Sequence, residues 1–438
     1  MNEYIFYSHN RTIILDHFLI ISECIDGVSI VIASLLMNAF SVVALLKDCS
    51  KKNDLCQGIK LHGSILEAGL LEKSPYVASS LISMYAKCGE LAKAQTLHDE
   101  LSTQSLITWN ALISGYAHRG RSHDALNCFE QMRSEGLSPD GVTFTCILKA
   151  CANVGDVSKG KLIHDEVIRK GLLYRNVVLG TALVDMYAKC GLLVKAHEVL
   201  KELHIRDAVA WSALIAGYAQ HEQGHEALQC FEQMQREGFS PDVVTFTSIL
   251  KACGSTGDVD KGKEIHDEIT RRGFLKKNIL LGNALLDMYA RCGMLVKAQE
   301  VLEELPVRNV VSWNALIAGY TQQNKGHDAL DCFSQMQREG LSPDEVTFTC
   351  ILKACGSVGD IEKAKEVHDE IVNKGLLERN VMVGNALVDM YAKSGVLALA
   401  HQVLENLPIR NVITWNALIS GHVQHDQGQD AIQCFLGM

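Results

Sequence analysis

With only six prolines in 438 residues, and no stretch rich in Ser, Pro or Gln, the sequence excludes a long disordered tail or linker. Fifteen cysteines occur, but no Cys-x-x-Cys. Nearly all of them return at fixed repeat positions, so they read as small buried apolar residues of a chain kept reduced, not as a disulfide framework. A Walker-type phosphate loop and a Gly-x-Ser-x-Gly nucleophile elbow are both missing. Positive charge is also short: 41 Lys and Arg stand against 51 Asp and Glu, a net charge of −10. That balance argues against a grip on nucleic acid made mainly through phosphates. It leaves room for reading bases with cations placed locally.

Only one apolar run, Gly27 to Leu46, is long enough for a membrane span. Its second half, from Ala39, reads as an amphipathic repeat helix that must stack, so no membrane contact is expected. Arg11 set against Glu3, Asp16, Glu23 and Asp26 is the wrong balance for a transit peptide. Residues 1–38 are atypical, and read as a degenerate repeat, a targeting remnant or a gene-model artefact.

What is present is a repeat. The stretch around Trp109 returns around Trp211, Trp313 and Trp415, each displaced by 102 residues, which uses every tryptophan in the chain. Each 102-residue unit divides into motifs of 35, 36 and 31 residues: 106–140, 141–176, 177–207; then 208–242, 243–278, 279–309; then 310–344, 345–380, 381–411. Upstream, 39–74 and 75–105 match the second and third kinds, and 412–438 is a partial copy of the first.

Each motif reads as two helices. Trp109, Leu112, Ile113 and Tyr116 form one apolar stripe, with Thr108 before it as the expected N-cap and Gly120 in the turn after it. Ala125, Phe129 and Met132 form the facing stripe, ended by Gly136 and Pro139. A single hairpin cannot bury both stripes, whereas stacked neighbours can. The expected fold is therefore all-α: a right-handed superhelical solenoid of helix-turn-helix repeats, first helices lining a concave groove, with the four tryptophans buried at equivalent sites.

The tetratricopeptide opening Trp-x-x-Leu-Gly-x-x-Tyr does not fit, because here it is Trp-Asn-Ala-Leu-Ile-x-Gly-Tyr from Trp109 to Tyr116. WNALISGY, ALNCFEQM, EGLSPD, TFTCILKAC and LVDMYAKCG instead resemble the pentatricopeptide family over residues 39–438. The alternation of 35, 36 and 31 residues is similar to the plant subclass built from P, L and S motifs, which makes 106–140 a P, 141–176 an L and 177–207 an S motif. The resemblance implies single-stranded RNA as ligand, a mitochondrion or chloroplast as location, and roughly one base read per repeat. It implies no DNA partner. Arrays of this subclass commonly work in C-to-U editing, so editing-complex proteins or a deaminase acting in trans are implied partners. RNA stabilisation or processing is the alternative within the same class, and a peptide-binding helical scaffold the alternative outside it.

In the family the fifth and last residues of a motif together meet one base edge. The resemblance places that role on Asn110/Asp140, Thr181/Asp207, Ser212/Asp242, Asn283/Asn309, Asn314/Asp344 and Asn385/Asn411, with Ser79/Ser105 undecided and Asn416 in the partial motif. The order implied from Asn110 onward is U, x, G, G, x, C or U, U, x, C or U. The residues support a readout independently: the fifth position varies among small polar types while Trp, Leu, Ile and Tyr stay constant. Helix capping and hairpin hydrogen bonds are the competing roles. The resemblance also sets Ile107, Val178, Val209, Leu280, Val311, Met382 and Ile413 against base faces, where packing is the competing role. Lys87, Lys189, Arg291 and Lys393 recur at first-helix ends and could follow a phosphate backbone or answer the helix dipole.

His-Asp-Glu recurs at His98, His164, His266 and His368, half of a zinc-deaminase signature whose Cys-x-x-Cys half is absent. These histidines read as packing residues, and Asp165 and Glu166 as solvated carboxylates. No catalytic residue, metal site or cofactor is expected.

Overall fold

The computed structural model describes residues 39–174 and 176–438, so the reading of 1–38 lies outside the described residues. The regular structure is 26 α-helices and one 3-10 turn at Leu172–Tyr174, with no strand among the described residues. Helices alternate in hairpins: Leu106–His118 with Ser122–Ser134, Gly141–Val154 with Val157–Arg169, Val177–Lys189 with Leu193–Glu202. The order repeats at Val310–Gln322, Gly326–Arg338, Glu345–Val358, Ile361–Asn373, Val381–Lys393 and Leu397–Asn406.

Local chemistry sets the helix starts. Asp140 accepts from the amide of Thr143 while Thr143 answers the Asp140 amide, a reciprocal box that satisfies two otherwise orphaned donors. Asp242/Thr245, Asn309/Ser312, Asp344/Thr347 and Asn411/Thr414 do the same. Thr108 is not the cap expected of it. Ser105 caps helix Leu106–His118, and Thr108 is the third helical residue, closing the box from inside. A hydroxyl at either place can serve, and the one preceding the first turn takes the cap. Helix Gly141–Val154 stops at Gly155, whose φ of 76° is a left-handed conformation that glycine enters without steric cost.

Two compact units share the chain, one up to Ala213 and one from Leu214. In the first, Pro75–Lys87 packs on Leu106–His118, which packs on Gly141–Val154, which packs on Val177–Lys189. In the second the succession is Ile279–Arg291, Val310–Gln322, Glu345–Val358, Val381–Lys393, Val412–Gln424. Second helices pack on their own first helix and on the first helix that follows. Some of these approaches need a missing side chain: a Cβ at Gly115 would stand 2.6 Å from Ala86 Cβ, and one at Gly319 2.7 Å from Ala290 Cβ.

Both predicted stripes are core, with Trp109, Leu112, Ile113, Ala125, Phe129 and Met132 all buried. Each large member contributes about 1.5–3 kcal/mol by leaving water. Trp109 and Trp313 donate their ring N–H to Glu135 and Glu339 at 3.0 Å. Trp109, Trp211 and Trp313 are buried, but Trp415 is only half-buried. The expected equivalence fails there because helix Val412–Gln424 has a neighbouring hairpin on one side only among the described residues.

The cysteines among the described residues are free thiols and mostly buried. Burial pushes Cys151, Cys253 and Cys355 up to about 12, which leaves them unreactive.

Candidate nucleic-acid interface

The last residue of one motif is the N-cap of the next first helix, and that fixes the site. Capping turns the Asp140 carboxylate back over the helix start, where Asn110 of the preceding first helix reaches it. Asn110 Nδ2 donates to Asp140 Oδ1 at 3.1 Å, and the amides of Val142 and Thr143 donate to the same oxygen at 3.0 and 2.9 Å. Thr143 Oγ1 lies 2.6 Å from Asn110 Oδ1 and 2.9 Å from Asp140 Oδ1. Asn314, Asp344 and Thr347 repeat the arrangement, with Asn314 Nδ2 donating at 2.9 Å and Thr347 Oγ1 standing 2.6 Å from Asn314 Oδ1. Burial pushes the Asp140 and Asp344 carboxyls up, but the bonds from the Thr amide and hydroxyl, the Asn amide and the Val amide outweigh it and hold both below the usual range.

Other proposed pairs show different bonds. Thr181 Oγ1 donates to Asp207 Oδ1 at 3.1 Å, and Asn283 Nδ2 to Asn309 Oδ1 at 3.5 Å. Ser212 sends its hydroxyl to the Ala208 carbonyl at 2.8 Å. Asn385 is buried with neither amide atom hydrogen-bonded, while Asn411 serves its own cap through the Thr414 amide at 2.9 Å. Asn416 is exposed, and Ser79 bonds back to the Tyr76 carbonyl.

Beside these polar groups runs a row of exposed apolar side chains, each the second residue of a first helix. In the first unit they are Phe40, Tyr76, Ile107, Val142, Val178 and Val209; in the second, Val244, Leu280, Val311, Val346, Met382 and Ile413. Their exposure runs from 36% at Ile107 to 84% at Phe40, so none of them is a core residue. Phe40, Tyr76, Val142, Val244 and Val346 are absent from the sequence reading, which considered only some motifs. Their signal was the same second position.

The cations at first-helix ends differ from one another. Lys189, Arg291 and Lys393 each pair with an aspartate one turn back: Asp185 at 2.8 Å, Asp287 at 2.8 Å and Asp389 at 2.7 Å. Lys87 has Ser83 at that place, and its carbonyl accepts from Arg119.

The histidines pack as expected. His62, His164, His266 and His368 bond the hydroxyls of Tyr85, Tyr187, Tyr289 and Tyr391 at 2.8 to 3.1 Å, and burial lowers all four pKa values. His98 is buried against Trp109, ring centroids 4.2 Å apart. Glu166 departs from its reading: it is half-buried and bridges Arg133 at 3.3 Å and Lys170 at 3.2 Å, because the stacked neighbour brings Arg133 over it.

Known proteins share these repeats. The profile described as "PPR repeat family" matches residues 104–153, 206–255 and 308–357. The one described as "PPR repeat" matches 76–105, 142–172, 181–207, 244–274, 283–310, 346–376 and 413–438. A chloroplastic pentatricopeptide repeat-containing protein of Arabidopsis thaliana is 34% identical over 90% of this chain, which spans 48% of that relative. A mitochondrial one from the same plant is 32% identical over 92% of the chain, which spans 72% of it. Among solved structures, pentatricopeptide repeat protein PPR10 in complex with an 18-nt psaJ RNA element superposes with a TM-score of 0.69 at 16% identity, covering 97% of this chain and 65% of that one. PPR10 from maize gives 0.54 at 18% identity, covering 93% and 69%. The matched segments are all repeats. With the same helical hairpins, repeat after repeat, the chain belongs to the pentatricopeptide repeat family.

Proposed function

We propose that this chain binds single-stranded RNA with sequence preference, one base per reading repeat, in a mitochondrion or chloroplast. The observation that carries the reading is the row of exposed apolar side chains beside the polar pairs. An unpaired base offers a flat apolar face and a hydrogen-bonding edge, and so asks for those two surfaces side by side. The mitochondrial and chloroplastic relatives support the location.

Within a pair such as Asn314/Asp344, an acceptor-only carboxylate holds Nδ2 and the Thr347 hydroxyl holds Oδ1, so the amide has one orientation. It offers one donor and one acceptor at fixed places, which suits uracil. An Asn/Asn pair fixes the amide less firmly and suits either pyrimidine. The expected order from Asn110 remains U, x, G, G, x, C or U, U, x, C or U. Selection from an RNA library by the wild type and by Asn314→Thr tests it: the variant shifts one position from U towards G, with mismatches costing about 1 kcal/mol. Identical preferences at that position would remove the readout.

The finer proposal is that the 35, 36 and 31-residue motifs form a P, L and S array directing C-to-U editing, through partner proteins or a deaminase in trans. Sequencing organellar transcripts from plants lacking the protein separates the roles. Loss of one edited site downstream of the expected order supports editing, whereas altered transcript ends support stabilisation or processing.

A further inference from the structure

The last hairpin carries a cluster that the RNA reading does not use. His401 in helix Leu397–Asn406, His422 in Val412–Gln424 and Cys434 in Gly428–Gly437 bring two imidazole nitrogens and a thiol sulfur within 4.8 Å of one another. The two Nε2 atoms are 2.9 Å apart, and Cys434 Sγ is 3.9 Å from His401 Nε2. We propose that these three side chains form a zinc(II) site that ties the last three helices together.

Comparison within the chain shows how unusual the cluster is. The corresponding residues of earlier hairpins are Gln95, Tyr116 and Cys128, then His197, Tyr218 and Cys230, then Gln299, Tyr320 and Cys332. Where the first residue is glutamine, the tyrosine hydroxyl donates to its oxygen, at 3.0 and 3.1 Å, and the Cys128 thiol lies 3.9 Å from the Gln95 oxygen. In the last hairpin both members of that polar lock are histidines. Two neutral imidazoles can keep such a lock, His401 Nε2–H donating to His422 Nε2, but together with the thiol they are also a ligand set of the kind zinc takes.

The protonation pattern fits. His422 Nδ1 lies 2.9 Å from Gln427 Oε1, an atom that only accepts, so Nδ1 carries the proton and Nε2 presents a lone pair. An outer hydrogen bond on the far ring nitrogen is what orients a metal-bound histidine. Ligand atoms around a tetrahedral zinc stand about 3.3 Å apart for two nitrogens and about 3.6 Å for nitrogen and sulfur. The observed 2.9 and 3.9 Å lie on either side of those values. Cys434 loses its proton to solvent on binding. The fourth position falls to water, as in an open three-ligand zinc site.

Reading the sequence through Cys-x-x-Cys and His-x-Glu spacings could not find this set, because each ligand comes from a different helix. The test uses the full chain, stripped of metal and titrated with cobalt(II) as a spectroscopic substitute for zinc. Visible d–d bands and a thiolate charge-transfer band should saturate at one equivalent, and competing zinc should bleach them. Cys434→Ser should abolish the charge-transfer band. His401→Gln with His422→Tyr installs the glutamine–tyrosine lock found in two earlier hairpins, so that variant should fold with wild-type helix content and bind no cobalt. Gln427→Leu should weaken the metal at least about tenfold. Equal cobalt uptake by the wild type and the double variant, or a charge-transfer band that survives Cys434→Ser, would overturn the site.

Discussion

Asn314 and Asn385 hold the same place in two helices of one unit, yet only one of them is satisfied. Both are nearly buried, at 7% and 6% exposure. Asn314 bonds Asp344 and Thr347, while neither amide atom of Asn385 has a partner. The difference lies in the next helix's cap. Asp344 presents a carboxylate oxygen that serves its own helix and still accepts from Asn314. Thr347 turns its hydroxyl towards Asn314, whereas Thr414 turns its hydroxyl to the Asn411 carbonyl at 2.7 Å. The Asp344 cap thus holds Asn314 at 2.9 Å, the Asn309 cap holds Asn283 only at 3.5 Å, and Asn385 has no bond to the Asn411 cap. Pre-organised pairs lose less entropy on meeting a base, so these two repeats should differ in discrimination as well as in stability.

The strongest way to break the comparison is to remove the caps. Asp344→Ala removes a cap and strands a buried amide, and should cost about 2–4 kcal/mol in denaturant unfolding. Asn411→Ala removes a cap alone and should cost about 1 kcal/mol. Equal losses would mean that the Asn314 lock carries no energy.

Converting one pair into the other sharpens it. Asn411→Asp gives Asn385 a carboxylate to bond, and should stabilise the chain by about 1 kcal/mol and narrow that repeat's choice from either pyrimidine to U. The checks are a melting curve and RNA-library selection. No change in either would show that Asn385 does not reach the cap.

Acid should separate the two pairs as well. Asp344 is held below its ordinary value of 3.8, so its stabilisation is full above that value and is lost as pH falls through the lower folded one. Asp344→Asn should flatten this acid limb of a melting-temperature profile, and Asn411→Asp should steepen it. The buried His164 and the half-buried His266 and His368, with pKa values lowered by desolvation, resist protonation that the unfolded chain accepts. They add a separate loss beginning as pH drops below about 6.5, shared by all the variants.

The smallest effects belong to the far ends of the same helices. Neutralising Lys189, Arg291 or Lys393 removes an exposed ion pair and should change stability by less than about 0.5 kcal/mol. Lys87, with no aspartate one turn back, should contribute more to RNA binding. Lys87→Gln should lower the salt dependence of affinity further than any of the other three, and an equal slope for all four would show that the aspartates do not screen them.

Much of this was legible because repetition amplifies weak signals. The 102-residue period, the buried stripes and the turn glycines each recur, and a pattern seen at Trp109 and again at Trp313 needs no packing calculation to be believed. The Asn and Asp positions were legible for the same reason, since they vary or recur inside a constant frame. Spacing along the chain determined the helices, their order and which faces are apolar, because those depend on local periodicity and capping. Tertiary structure alone decided whether Asn314 is locked and Asn385 is not, whether Lys189 is paired, how deeply Trp415 is covered, and that His401, His422 and Cys434 meet. Each of those depends on distances between atoms of different helices, set by the stacking of one hairpin on the next, and no spacing along a single helix encodes them.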